Sequence, residues 1–422
     1  MPERDLMTAT TDIATDLLTP LGAYLRLRAG SRAAFLLESV ERGRLGRYSF
    51  VGCGSRLVYA NEAEALDEPV VGYLAYDHVA KLEPTVPLPD EGAGLPESRF
   101  LVADLLLRFD HASGVAEVLA GDPAEAAERL VHPSHVPGPT PVQVPGHGRR
   151  GRMRRFPAQA EYEAGVRRIK ERIRAGDAFQ VVLSQRAERP TSASAVELYR
   201  ALRRVNPSPY LFLLELDDLA LIGSSPETLV KMEGRRASVN PIAGTTDPGP
   251  GDAERLLASE KDRAEHVMLV DLGRNDLGRV CLPGTVRVER MLEPERFSHV
   301  THLVSEVAGE LRDGVTPFDL LRACFPAGTV SGAPKIRAMQ IISELEGYRR
   351  GVYAGAVGYA LPGGALDTCI AIRTIVLVNG LARLQAGGGI VADSDPAEEH
   401  QECLNKLAAL EAAIELAEAE QK

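Results

Sequence analysis

The residues with the clearest chemical potential are two pairs of carboxylates far apart in the chain. Asp262 and Glu265 lie in EKDRAEHVMLVDLGRND, and Glu399 and Glu402 lie in DSDPAEEHQECLNK. Each pair has the i, i+3 spacing that puts both side chains on one face of a helix, so two helices can aim four oxygen ligands at one point. Such donors suit a hard divalent cation. Magnesium takes one or two protein carboxylates, completes its shell with water and substrate oxygens, and neutralises an anionic substrate. The pattern therefore points to an acidic small molecule. Alone, the same clusters also describe solvated helix faces, with Lys261 and Glu265 or Glu402 and Lys406 as surface pairs. Further motifs must decide between the two.

The elements that would position these groups alternate along the chain. Residues 161–175 repeat apolar side chains at helical spacing and stop at Gly176, FQVVLSQR follows as a strand, and residues 195–205 return to helix. YLFLLELDDLALIGSSPETLVKMEG reads as two strands joined by an acidic turn, and RASVNPIAG as one more. GVYAGAVGYAL, DTCIAIRTIVLVNG and LARLQAGGGIVA are expected strands before a last helix that starts with Asp395 as N-cap, Pro396 at its first position and Glu398 closing a capping box. Hairpin signals outnumber βαβ units, so the expected fold is α+β with large, mainly antiparallel sheets packed with helices. Residues 132–157, rich in Pro and Gly and ending in a basic cluster, read as a linker between an N-terminal region (1–131) and a larger C-terminal one (158–422).

Composition narrows the function classes. With 422 residues, 45% hydrophobic and 25% charged, the chain can bury a substantial core, and its net charge of -11 argues against a general nucleic-acid binder. No apolar stretch is long enough to span a bilayer, and no basic start precedes an apolar run, so a cytoplasmic protein without membrane or nucleic-acid partners is expected. Cys53, Cys281, Cys324, Cys369 and Cys403 lack zinc-type spacing and are expected to be reduced and mostly buried.

Seven segments then occur in a telling order: NPIAGTTDPG, AEHVMLVDLGRNDLGRV, THLVSEVAGEL, FPAGTVSGAPKIRAMQIISELE, YAGAVGY, IAIRT and QAGGGIVADSDPAEEHQECLNK. The set resembles the chorismate-utilising enzymes, and within them the anthranilate synthase component I branch, over most of residues 162–413 and again in AFLLESVERGRLGRYSFVG. The resemblance implies chorismate as substrate, with magnesium on its ring carboxylate held by Glu265 and Glu402, and with Asp262 and Glu399 as outer or water-mediated partners. Asp262 departs from the glutamate of the family pattern. Arg373 offers a planar fork that matches a second carboxylate bidentately, and Ala386, Gly387, Gly388 and Gly389 after Gln385 expose successive backbone N–H groups. The family commonly has alanine where Gly388 stands, a change expected to have little steric consequence. Tyr353, Gly244 and Thr245 are similar to substrate-contacting residues. Glu227 in GSSPETLV resembles the acid that protonates the departing ring hydroxyl, and His302 in THLVS is a second proton carrier or a polar wall.

The nucleophile follows from a contrast within the family. Water-using relatives carry a lysine base where this chain has Gln180, and an amide cannot deprotonate water. Ammonia needs no base, and its neutral form calls for a sheltered path from a glutaminase. A separate glutamine amidotransferase subunit, and so a hetero-oligomer, is implied. Ala243 stands where the 4-amino branch, aminodeoxychorismate synthase, generally has lysine, which favours anthranilate and pyruvate as products. Thr246 replaces an arginine that usually follows the PIAGT run, which keeps a relative that stops at 2-amino-2-deoxyisochorismate as the alternative. LLES and NPSPYLF resemble the segments that bind tryptophan in feedback-controlled members, with Glu38, Ser39, Pro209, Tyr210 and Leu211 as the contacts. A tryptophan sensor without catalysis would need only those two segments.

Overall fold

The computed structural model describes residues 12–421 except residues 16, 42–43, 132–150, 247–248 and 297–300. Most of the expected linker thus lies outside the described residues, and its end does not behave as one: Arg154–Phe156 is a strand paired with Gln180–Pro190.

Two large sheets, of 12 and 10 strands, dominate the fold, and every pairing among the described residues is antiparallel. Each sheet mixes strands from before and after residues 132–150. In the larger one Ala33–Glu41 pairs with Tyr210–Leu216, and in the smaller one Val70–Leu74 pairs with Ala356–Leu361. The division near residue 132 is therefore one of the chain and not of the fold.

Burial has a layered pattern that the strand alternation dictates. Phe35, Phe212, Leu214, Leu221 and Val357 form an apolar layer with residues of both sheets. The opposite face of the larger sheet, through Leu36, Leu183, Leu213 and Leu384, packs on Tyr162, Val166 and Ile169 of Gln159–Arg174 and on Leu407, Leu410 and Ile414 of Pro396–Ala419. These two helices and Ala195–Val205 sit where the 3.6-residue spacing predicts. Asp395 caps the last helix by accepting from the N–H groups of Ala397 and Glu398.

Three expected strands are broken in the structure. The Tyr210 run contains three strands, Tyr210–Leu216, Leu219–Ser225 and Thr228–Glu233. The RASVNPIAG segment splits at Asn240 and Pro241, and the DTCIAIRTIVLVNG segment splits into Ala365–Ile370 and Thr374–Val378. The first and last of these breaks carry the chain from one sheet to the other, because Leu219–Ser225 and Thr374–Val378 belong to the larger sheet while Thr228–Glu233 and Ala365–Ile370 belong to the smaller one. All five cysteines are buried free thiols.

Candidate active site

The two sheet-to-sheet crossings lie side by side, and each carries a candidate functional residue. The Ser224 N–H donates to Arg373 O at 3.1 Å, the Ile370 N–H donates to Glu227 O at 3.0 Å, and the Ser225 hydroxyl donates to Ile370 O at 2.7 Å. Glu227 and Arg373 are thereby fixed by backbone at the seam between the sheets. Arg373 has φ 50°, a left-handed conformation that costs a non-glycine residue about 1–2 kcal/mol and is retained where the surroundings impose it. Ala354, beside Tyr353, is also left-handed (φ 64°), and its N–H donates to Ala371 O. Burial lowers the pKa of the Arg373 guanidinium, and Tyr353 and Glu402 are close enough to raise it again in part. It remains a cation, since guanidinium does not deprotonate in proteins.

Glu227 is half-buried beside an open cavity whose walls include Leu269 and Leu272 of Glu260–Gly278 and Gly328 and Thr329. Burial raises its pKa to about 7, with the Thr329 hydroxyl and the Lys406 ammonium pulling it partly back. Thr329 Oγ1 is near the carboxyl but outside full hydrogen-bond geometry. A carboxyl poised at this value holds a proton near neutrality and can give it up.

The glycine-rich strand Leu381–Ile390 runs past this seam. It pairs along its length with Gln180–Pro190, whereas its ladder with Thr374–Val378 ends at Val376 and Arg383. Beyond Arg383 one edge is open, on the side where the neighbouring strand breaks at Arg373. Gly389 leaves room for Gln180, whose Nε2 would stand 2.3 Å from a Cβ at that position, and Gln180 Oε1 is buried without a hydrogen-bond partner. Gly387 permits close strand approach, with Leu183 O at 2.4 Å from a Cβ placed there. Ala386 instead faces the C-terminal helix and accepts from the Cys403 thiol through its carbonyl.

The acidic pairs behave differently from each other. Glu399 is 9% exposed and packs behind the glycine strand, where a Cβ on Gly388 would come 2.7 Å from its Oε2. A methyl at Gly388 would meet only the flexible end of the Glu399 side chain, in keeping with a small steric consequence. We expect Gly388→Ala to cost about 0.5–1.5 kcal/mol by pushing the Glu399 carboxylate off its rotamer and Glu399→Ala to recover part of that loss in the double variant. Urea unfolding of the four proteins in the cycle measures this, and strict additivity would show that the two residues do not compete for the same space.

Glu402 is about half exposed and receives the Lys406 ammonium at 2.6 Å. Lys406 also donates to Gly387 O at 2.8 Å and lies within electrostatic reach of Glu227. It is therefore no surface partner but a link between the carboxylate helix, the glycine strand and Glu227. The i, i+4 spacing in ECLNK was the available signal, and it is the same signal that an ordinary surface pair gives.

Asp262 and Glu265 occupy the first turns of Glu260–Gly278, which Ser259 caps by accepting from the Asp262 N–H. This helix is pinned to the smaller sheet by a 2.6 Å hydrogen bond between His266 and the Ser305 hydroxyl, and to Lys335–Glu346 by the 2.7 Å Lys335–Asp276 pair. Gly244 meets it at a bulge: φ is 72°, the register shifts between Ala243 and Thr245, and a Cβ there would lie 3.3 Å from Asp262 Cβ. Thr245 is described by its backbone only. His302 Nδ1 donates to Gly244 O at 3.0 Å, and burial together with the nearby Arg373 charge lowers the His302 pKa. The ring is neutral at physiological pH, which suits a polar wall better than a cationic acid.

Asp262, His302, Arg373, Glu402, Lys406 and Glu227 thus form one chain of neighbours across the seam. The four carboxylates do not meet as expected: among the described residues no three acidic, His or Cys side chains gather closely enough to hold an ion. Glu399 is turned into the strand, and Glu402 is engaged by Lys406. The donor chemistry still fits magnesium in its sparse mode, with one or two protein carboxylates and the rest of the shell filled by water and substrate.

The two segments expected to bind tryptophan are adjacent, with Glu38 opposite Leu211 in paired strands. Their side chains divide, however. Glu38 and Leu211 face the helical layer, where the Glu38 carboxylate accepts from the Tyr199 hydroxyl at 2.5 Å and pairs with Arg203 at 3.2 Å. Glu38 Oε2 is thereby engaged by Ala195–Val205, while its Oε1 is buried without a hydrogen-bond partner. Tyr210 faces the other way, its hydroxyl between Thr228 at 2.8 Å and Asp367 at 3.0 Å. Pro209 is half-buried just before it, and Ser39 sits at a register shift.

Comparison with known proteins accounts for this arrangement. Residues 19–412 match the model of the chorismate binding enzyme family. The chain is 46% identical to anthranilate synthase component 1 of Thermus thermophilus, over 96% of this chain and 97% of that one. It is 44% identical to the Streptomyces coelicolor protein of the same name, over 99% and 90%. The crystal structure of anthranilate synthase component I from Streptococcus pneumoniae superposes with a TM-score of 0.76 at 33% identity, covering 94% of this chain and 98% of that one. A menaquinone-specific isochorismate synthase from Escherichia coli shares the fold, with a TM-score of 0.73 at 23% identity. Sequence, fold and the residues gathered at the seam agree that this chain belongs to the chorismate-binding enzyme family.

Proposed function

We propose that the chain is the large subunit of an anthranilate synthase, converting chorismate and ammonia to anthranilate and pyruvate. The observation that carries the choice of nucleophile is Gln180. Its amide lies against Gly389 with Oε1 unsatisfied, at the place where water-using relatives need a base. An amide oxygen can accept a hydrogen bond from ammonia and orient it, but it has no useful basicity toward water.

Arg373 and the open edge of Gly387 and Gly389 hold the enolpyruvyl carboxylate, with Tyr353 beside them. Glu227 delivers its proton to the ring hydroxyl, which leaves as water while ammonia bonds to ring carbon 2. Loss of the proton on ring carbon 2 with cleavage of the ring–oxygen bond of the enolpyruvyl group then aromatises the ring, and the released enolpyruvate takes a proton on its methylene carbon to become pyruvate. His302, neutral and anchored to Gly244, walls the ring. Magnesium, when bound through Glu265 and Glu402 with Asp262 in support, would neutralise the ring carboxylate. Lys406 holds Glu402 and the Gly387 carbonyl in register for that task.

Ammonia is proposed to come from a separate glutamine amidotransferase subunit, in keeping with the component 1 naming of the relatives. Feedback by tryptophan is proposed to act through the Ser39 and Tyr210 face, with Glu38 positioning its strand through Tyr199. A cytoplasmic location belongs to the same proposal: the five thiols are unpaired, and no described helix is long and apolar enough to cross a membrane.

Gln180→Lys tests the nucleophile assignment. With chorismate and magnesium but no ammonium, the variant is expected to form a hydroxylated product that the parent does not make, while ammonium-dependent turnover falls at least tenfold. If Q180K and the parent show the same ammonium dependence and the same products by mass spectrometry, Gln180 does not stand at the nucleophile's position.

A further inference from the structure

A second cavity, open to solvent on one side, lies along the same two strands beyond the glycine run. Arg186 and Glu188 reach it from Gln180–Pro190, and Arg383 and Gln385 reach it from Leu381–Ile390. It shares Tyr353, Ala371 and Thr374 with the surroundings of Arg373, but neither Arg373 nor the glycines line it. Its electrostatics are unusual for a cavity walled by strands of the larger sheet and by loops. Arg383 Nε and Nη1 are buried without a hydrogen-bond partner, and Glu188 stands 3.8 Å away, too far to satisfy them. Arg186 makes no ion pair among the described residues. Its guanidinium lies 3.4 Å over the Tyr348 ring and 4.8 Å from the Phe156 ring.

Orphaned guanidinium donors in a half-enclosed space are costly unless something accepts from them. The other charges around the cavity do not meet that need. Arg350 is neutralised by Glu346 at 2.7 Å, and Arg349 Nε donates to Pro89 O. Glu188 offsets only one of the positive charges of Arg186, Arg349 and Arg383. Leu95, Val352 and Val376 supply apolar walls. Two forked donors, a net positive charge and apolar sides suit a carboxylate on a small body, whose two oxygens match a guanidinium fork.

We propose that this cavity is a second anion site, in which Arg383 and Arg186 bind a small monocarboxylate. Its position next to Tyr353 makes pyruvate the natural occupant, as the leaving product pauses there before release. The identity of that occupant rests on the reaction proposed above, whereas the site itself does not. An aromatic acid such as benzoate or anthranilate carries the same carboxylate chemistry, and direct binding tells the sources apart.

Isothermal titration of the full chain with pyruvate, and separately with benzoate, tests this without turnover. In Arg373→Gln, where the enolpyruvyl contact is removed, one saturable pyruvate site is expected to persist. Adding Arg383→Gln, or Arg186→Gln in a parallel variant, should weaken it at least tenfold. Thermal melting of each variant reports whether it folds. Benzoate binding in preference to pyruvate would keep the site and overturn the product-release role. Loss of all binding in R373Q alone, equal binding in R373Q and R373Q/R383Q, or no saturable binding of either acid in any protein would overturn the site. If the proposed reaction were wrong, turnover would fail while the R373Q binding result stood.

Discussion

Glu227→Gln is expected to lower kcat by about 10²–10⁴-fold, the usual contribution of a positioned general acid, while leaving the melting temperature unchanged or slightly raised. Glutamine keeps the volume and the backbone contacts to Ile370 but has no proton to give. The sign of the pH dependence follows from the direction of the shift. Burial raises the Glu227 pKa from 4.5 to about 7, so the protonated, competent form predominates below that value and is lost above it. The kcat of the parent should therefore fall as pH rises through about 7, and E227Q should lack that limb. Ammonia supply runs the other way, because its neutral fraction grows with pH, so the profile must be taken at fixed neutral ammonia concentration. An E227Q enzyme with the same alkaline limb as the parent would move the acid to another residue.

The second large effect is expected at Arg373. Two charge-assisted hydrogen bonds of about 1.5–2 kcal/mol each put the loss in kcat/KM for Arg373→Gln at roughly 10²–10³-fold. Arg373→Lys should recover little, since an ammonium cannot reproduce the fork. The left-handed backbone gives a second readout that separates function from stability. Arg373→Gly removes both the fork and the unfavourable φ of 50°, so it should be as inactive as R373Q yet melt at a higher temperature. If R373G is less stable than R373Q, the strain is not stored at this position.

Much of the fold was legible in the chain because its helices obey local rules. Residues 161–175 and 195–205 carry a single apolar stripe and end at recognisable stops, and Asp395 caps the last helix as its sequence announces. The crossings between sheets were not legible in the same way. Leu219–Ser225 and Thr228–Glu233 read as one run because both are apolar and the crossing takes two residues. Pro226, like Pro241 in the other broken segment, was the available warning, since proline cannot donate to an interior ladder. Nothing comparable marks residues 371–373, where a left-handed arginine rather than a glycine makes the break.

The site shows the same division. Glu227, Arg373, Gln180, Gly244 and His302 each sit at a break, bulge or close approach that their residue types or neighbours demand. The carboxylate pairs were less legible. Spacing on a helix gives a shared face but not what that face meets, and Glu399 is turned against Gly388 while Glu402 is taken by Lys406. Glu38 illustrates the point on a strand, where alternation sends it to Tyr199 and leaves Tyr210 on the opposite side.

The most direct test is to incubate the purified chain with chorismate, ammonium and magnesium and to identify the products by mass and fluorescence. Anthranilate and pyruvate in equal amounts, formed only when ammonium is present, are the predicted result. Accumulation of 2-amino-2-deoxyisochorismate alone, or of isochorismate with no need for ammonium, would contradict it.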